Sequence, residues 1–172
     1  GLDALLEAMP ELPIIGVIDP VAQRAAEFTE SKHLGVIGTR GTVNSECYPA
    51  SLTQLAPDIR VTQVACPLFV PLAEEGWTSG EIPVAVAHKY LEAFSSTDID
   101  ALILGCTHYP LLRDTIANVL DQIMPRYVRT MDSAHATSAA LELELDARGL
   151  LSDRSEPPPK YPSVEFRVTD EP

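Results

Sequence analysis

Ile99-Asp100-Ala101-Leu102-Ile103-Leu104-Gly105-Cys106-Thr107-His108-Tyr109-Pro110 is the stretch on which the fold turns. Its first half is an apolar run that reads as a buried strand. The residues after Pro110, Leu111-Leu112-Arg113-Asp114-Thr115-Ile116-Ala117-Asn118-Val119-Leu120, read as a helix. A thiol, a hydroxyl and an imidazole therefore stand together at a strand exit, where α/β sheets place their chemistry. A free thiol has a pKa near about 8.5 and is mostly un-ionised at neutral pH. A helix opened by Pro110 is expected to add positive potential and free N–H groups beside Cys106. His108 would favour the thiolate further, and the Thr107 hydroxyl and backbone N–H could hold a carboxylate. The competing reading makes Cys106 a small buried core residue.

Working outward, apolar runs alternate with helical patterns. Strands are expected at 12–18, 34–38, 59–65, 101–105 and 127–131. Helices are expected at 21–31, 43–55 with Thr42 as N-cap, 82–94, 110–123 and 133–148. A Pro-rich loop is expected over 66–80. A Pro-rich connector over 152–162 then leads to a short alternating strand at 164–168, which needs a sheet built from elsewhere. Strand–helix alternation with apolar strands predicts an α/β fold, a parallel-sheet three-layer lobe with helices on both faces.

A chain of 172 residues with 45% hydrophobic content fits one domain, or one domain plus pieces of another. Its net charge of −13 argues against nucleic acid and anionic membrane surfaces as partners. No apolar run is long enough to span a bilayer, and no signal-peptide pattern opens the chain. Cys47, Cys66 and Cys106 form an odd, sparse set, which suggests a reducing compartment; a cytoplasmic location is expected.

Two further segments leave strands. Gly38-Thr39-Arg40-Gly41-Thr42 offers two hydroxyls at a tight strand-to-helix turn, either for a small anion or merely as a cap. Cys66 is followed by Pro67, which donates no N–H, and has no Thr or His beside it, so it reads as structural. Glu74 lies in the same segment and could orient a histidine or remain a solvated loop carboxylate. His33, His88 and His135 are well separated, and no His/Cys cluster has metal-ligand spacing, so no metal is expected. Glu142, Glu144 and Asp146 read as a solvated helix face.

The Gly-Cys-Thr-His-Tyr-Pro motif is similar to that of glutamate racemases, within the aspartate/glutamate racemase superfamily. The resemblance extends to residues 36–43, 65–72 and 131–134, to a crossover at 14–20 and to a late strand at 166–170, and so covers nearly the whole chain. It implies a cofactor-independent, metal-free reaction on glutamate in which two cysteines face opposite sides of Cα. One thiolate removes the proton and the other thiol returns one from the far side, supplying D-glutamate to cell-wall peptidoglycan. By position, Cys106 matches the second catalytic cysteine. Thr107 and His108 match substrate contact and proton-transfer support, Thr39 and Thr42 the turn that holds substrate, and Glu74 a candidate outer-site acid.

The family's earlier Asp-Ser-Gly-x-Gly, Pro-Tyr-Gly and Cys-Asn-Thr segments have no counterpart here. The resemblance therefore implies residues 1–18 as a remnant of a first lobe and its crossover, 19–132 as a second lobe carrying Cys106, and 133–172 as elements returning to the first. The expected partners are glutamate and the N-terminal half, with a homodimer as a candidate; the chain alone is expected to be inactive. Two alternatives stay open: a related two-cysteine aspartate or hydantoin racemase or isomerase, and a non-catalytic ligand-binding domain derived from the second lobe.

Overall fold

The computed structural model describes residues 2–151. The strand expected at 164–168 lies outside the described residues. In chain order the elements are α1 (Leu2–Ala8), α2 (Asp19–Phe28), β1 (His33–Gly38), α3 (Arg40–Asn44), α4 (Cys47–Leu55), β2 (Arg60–Ala65), α5 (Phe69–Glu74), α6 (Glu81–Leu91), β3 (Ala101–Leu104), α7 (Arg113–Ile123), β4 (Arg129–Asp132) and α8 (Ser133–Ala147). Short 3-10 turns follow α6 at Glu92–Phe94 and precede α7 at Tyr109–Leu112.

The four strands form one parallel sheet in the order β2-β1-β3-β4. Every residue of β1 and β3 is buried, as expected for central strands covered on both faces. Alternate side chains feed two separate cores. Ile37, Leu102 and Leu104 pack with Phe69, Leu91, Leu112 and Ile116 from α5, α6 and the α7 region. Leu34, Val36, Ala101 and Ile103 pack with Val21, Ala25, Leu52 and Ala136 from α2, α4 and α8. The expected three-layer α/β arrangement is therefore present.

Four local expectations need correction. Residues 12–18 form no strand; none of the four strands pairs with them, and a strand without a ladder has nothing to hold it. The helix expected at 43–55 is broken, because Glu46 adopts a left-handed conformation at φ 53° and separates α3 from α4. The cap of α3 is Thr39, not Thr42: the Thr39 hydroxyl accepts the Thr42 backbone N–H at 3.2 Å. The loop expected at 66–80 contains α5, whose Pro71 lies in the first turn where no N–H is required.

Candidate active site

In a sheet ordered 2-1-3-4, the connections leaving β1 and β3 run to opposite faces, because β1 leads through α3 and α4 while β3 leads to α7. Adjacent strands whose connections diverge leave a crevice at their carboxyl ends. Thr39 and Thr42 stand on the β1 side of that crevice and Cys106 and Thr107 on the β3 side. The two turns are pinned together by the Gly105 N–H, which donates to the Ile37 carbonyl at 2.7 Å. A Cβ on Gly105 would come within 2.9 Å of both that carbonyl oxygen and the Tyr48 ring, so only glycine lets the turns approach this closely.

A cavity of about 280 Å³ opens here, lined by Cys106, Thr107 and Gly105 from one turn, Thr42, Ser45, Cys47 and Tyr48 from the other, Ser133 of α8, and Val17 and Ile18 of the crossover. Thr39 supports the lining from behind: its hydroxyl is 3.0 Å from that of Thr42. Cys106 is half-buried and Thr107 exposed, so the thiol and hydroxyl are both accessible.

His108 stands between two partners. Its Nε2 is 3.3 Å from Glu74 Oε1, and its Nδ1 is 3.9 Å from Cys106 Sγ and 3.4 Å from the Thr107 hydroxyl. With Nε2–H donated to Glu74, Nδ1 presents its lone pair toward the thiol. Glu74, read from sequence either as orienting a histidine or as a solvated loop carboxylate, closes α5 within reach of His108. It is 62% exposed, so the pair adds little to stability.

Tyr109 anchors the motif. Its ring is fully buried, edge-on to Phe69 at 5.3 Å, and its hydroxyl donates to the Cys66 carbonyl at 2.8 Å. Burial first, and the neighbouring Cys66, Cys106 and Tyr90 next, push its phenol far above the ordinary range, so it stays neutral. The expectation that a helix N-terminus abuts Cys106 is corrected: a 3-10 turn intervenes and α7 begins only at Arg113. A helix field falls off within one turn, so the local environment of Cys106 is set by His108 and the cavity wall instead.

Cys66 is completely buried, its thiol 3.6 Å from the Val64 carbonyl, and burial pushes its pKa up to about 12. The sequence reading did not single out Tyr48, Cys47, Ser45 or Ser133. Tyr48 is 3% exposed and its pKa is pushed up to about 12, first by burial and then by the nearby Cys47 and Cys106. The reading of 43–55 as one continuous helix hid these residues, since the break at Glu46 is what turns Cys47 and Tyr48 to the crevice. Among the described residues, no cluster of three or more His, Cys, Asp or Glu side chains could hold a metal, and no helix is long and apolar enough to cross a membrane.

A parallel sheet with a cysteine and histidine at its switch point, matched by sequence over residues 1–141, places the chain in the Asp/Glu/Hydantoin racemase family. The relatives it resembles are glutamate racemases. That of Chlorobium phaeobacteroides is 43% identical over 160 residues, which make up 92% of this chain and 57% of the relative. Among solved structures, glutamate racemase from Francisella tularensis in complex with D-glutamate matches with a TM-score of 0.79 at 36% identity, over 88% of this chain and 54% of that one. The RacE1 isoform from Bacillus anthracis matches with a TM-score of 0.80 at 37% identity, over 88% and 55%. The chain thus spans a little over half the length of the relatives it matches.

Proposed function

We propose that the chain is the second-lobe half of a glutamate racemase, with Cys106 serving one face of the substrate. The observation that carries this reading is the single crevice joining the Cys106 thiol and Thr107 to Thr42, with His108 behind the thiol and Glu74 behind the histidine.

The Cα–H of glutamate is a very weak acid, so its removal needs an oriented base and stabilisation of charge developing on the α-carboxylate. As thiolate, Cys106 takes the Cα proton and becomes a thiol, while the C–H electron pair passes into the carboxylate. The hydroxyls of Thr42 and Thr107 bind that carboxylate, and Thr39 positions Thr42. A cysteine of the complementary half donates its proton to the opposite face and becomes a thiolate. In the reverse direction Cys106 is the donor. His108 exchanges the Cys106 proton through Nδ1, and Glu74 fixes the tautomer that makes this possible. No cofactor is required. In a protein of net charge −13, local donors have to overcome long-range repulsion of dianionic glutamate.

On this reading, 19–132 form the lobe that carries Cys106, and the described residues flanking it, 2–18 and 133–151, pack with the complementary lobe. Exposed Leu5, Leu6, Met9, Leu12 and Val17 along the first segment, and Leu141 and Leu143 on α8, are the apolar surface such a partner would cover. The product, D-glutamate, serves peptidoglycan synthesis in the cytoplasm. The test is circular-dichroism polarimetry of D- and L-glutamate, with aspartate and hydantoin as comparators. The chain alone is expected to be inactive, and the chain joined to its complementary half to interconvert glutamate faster than either comparator. Racemisation by the isolated chain would refute the half-site; a preference for aspartate or hydantoin would refute the substrate.

A further inference from the structure

The open edge of the sheet gathers positive charge that the proposed reaction does not use. Among the described residues β4 is an edge strand. Arg24 reaches this edge from α2 on one face, Arg113 reaches it from α7 on the other, and Arg129 belongs to β4 itself. With Thr130, Asp132 and His135 they line a cavity of about 190 Å³. Three of the chain's 12 basic residues therefore meet at one site in a protein of net charge −13.

Asp132 offsets the charge of Arg113 and leaves those of Arg24 and Arg129. Its side chain is 3% exposed, and its oxygens are engaged by Arg113, by the His135 ring at 2.9 Å and by the His135 backbone N–H at 3.0 Å. Those contacts cap α8 and hold Arg113 at the cavity. The Arg129 guanidinium lies over the Phe28 ring at 5.0 Å, a contact that leaves its N–H donors free. Arg24 has no hydrogen-bond or ion-pair partner among the described residues. Protection of an edge strand accounts for a charge on the strand itself. It does not account for guanidinium groups converging from helices on both faces.

We propose that this cavity is an oxyanion site for a phosphate group. Planar guanidinium forks match tetrahedral and carboxylate oxyanions in pairs, and a buried aspartate that fixes one of them pre-orders the site. A cavity of about 190 Å³ holds roughly six waters and is smaller than the ~300 Å³ at which pockets for drug-sized ligands begin. It therefore takes inorganic phosphate, or the phosphate end of a phosphomonoester whose remainder lies in solvent. The first turn of α8 joins this cavity to the other: Ser133 lines the Cys106 cavity, while His135 and Ala136 line the arginine cavity.

Isothermal titration of the 172-residue chain at pH 7.5 and fixed low ionic strength tests the site, with sodium phosphate in one arm and phenyl phosphate in the other. One saturable site per chain is expected, weakened at least tenfold in Arg24→Gln and in Arg129→Gln. Arg24→Lys, which keeps the charge but loses the fork, is expected to fall between. Arg24 and Arg129 are exposed, so the variants should keep the fold; Arg24→Gln should unfold at the same temperature as the parent, while Arg129→Gln also loses its contact with Phe28. Tighter binding of the monoester would identify that source, and equal binding would identify free phosphate. Absence of saturable binding in both arms, or equal binding by parent and glutamine variants, would overturn the proposal.

Discussion

Cys66 and Cys106 each follow a strand of the same sheet, yet their surroundings differ in every respect that governs thiol chemistry. Cys66 follows β2, is fully buried beside Phe69, is succeeded by Pro67 and has its pKa pushed up to about 12 by burial. Cys106 follows β3 one strand away from the sheet edge, opens on a cavity and has an imidazole 3.9 Å from its sulfur. The strand exits supply similar backbone geometry; what separates them is the switch point. The crevice forms where connections diverge, between β1 and β3, and Cys66 lies outside it. Tyr109 links the two by donating its hydroxyl to the Cys66 carbonyl, so the buried cysteine serves as a fixed post for the turn that carries Cys106.

The largest expected contrast is in alkylation. Mapping iodoacetamide adducts by mass spectrometry should show Cys66 reacting at least about 10³-fold more slowly than Cys106, since a thiol that is buried and un-ionised is inert. Comparable rates would erase the distinction. Next, His108→Ala is expected to lower racemisation by the joined enzyme by about 10²-fold, the range of a lost general acid–base group. A change confined to KM would instead make His108 a binding residue.

The opposite end of the sheet gives the third contrast, because its polar groups are fully engaged. Asp100 accepts from the Thr29 hydroxyl at 2.7 Å and from the Glu30 and Ser31 backbone N–H groups at 2.7 and 2.8 Å. His33 is bonded on both ring nitrogens, to Asp98 at 2.5 Å and Thr62 at 2.8 Å. Burial pushes the Asp100 carboxyl up, but hydrogen bonds from Ser31, Thr29 and Glu30 outweigh it and hold it below the ordinary range. A carboxyl with a depressed folded pKa stabilises the fold above its unfolded value of about 3.9 and loses that contribution as pH falls through the folded value. Asp100→Ala is therefore expected to destabilise by about 2 kcal/mol at pH 7 in urea unfolding, with the deficit shrinking below about pH 4. A constant deficit across pH would separate the stability from the carboxylate.

The smallest expected effect is that of Glu74→Gln, a loss of about tenfold or less in kcat/KM, with no change in unfolding midpoint. An exposed pair contributes little to stability, and glutamine still accepts from Nε2. A loss as large as that of His108→Ala would move Glu74 from orientation into the proton path.

The sequence carried the elements that are decided locally. Apolar runs at 34–38 and 101–105 located β1 and β3, and Gly105-Cys106-Thr107-His108 marked the β3 exit. The approach of Glu74 to His108 was legible only as an option, because it depends on α5 folding inside a segment whose prolines suggest a loop. Tyr48, Cys47 and Ser133 were not legible. The cavity is built from four chain segments, and the break at Glu46 is a backbone choice that residue type alone does not announce. Residues 12–18 misled for a related reason: an apolar run promises a strand only where a partner ladder exists.

The most direct measurement compares Cys106→Ser with Cys66→Ala in the chain joined to its complementary half, following interconversion of D- and L-glutamate. Cys106→Ser is expected to abolish racemisation while Cys66→Ala keeps it within a few-fold of the parent, a buried thiol having only a packing role. Racemisation undiminished in Cys106→Ser, or lost equally in both variants with the fold retained, would contradict that expectation.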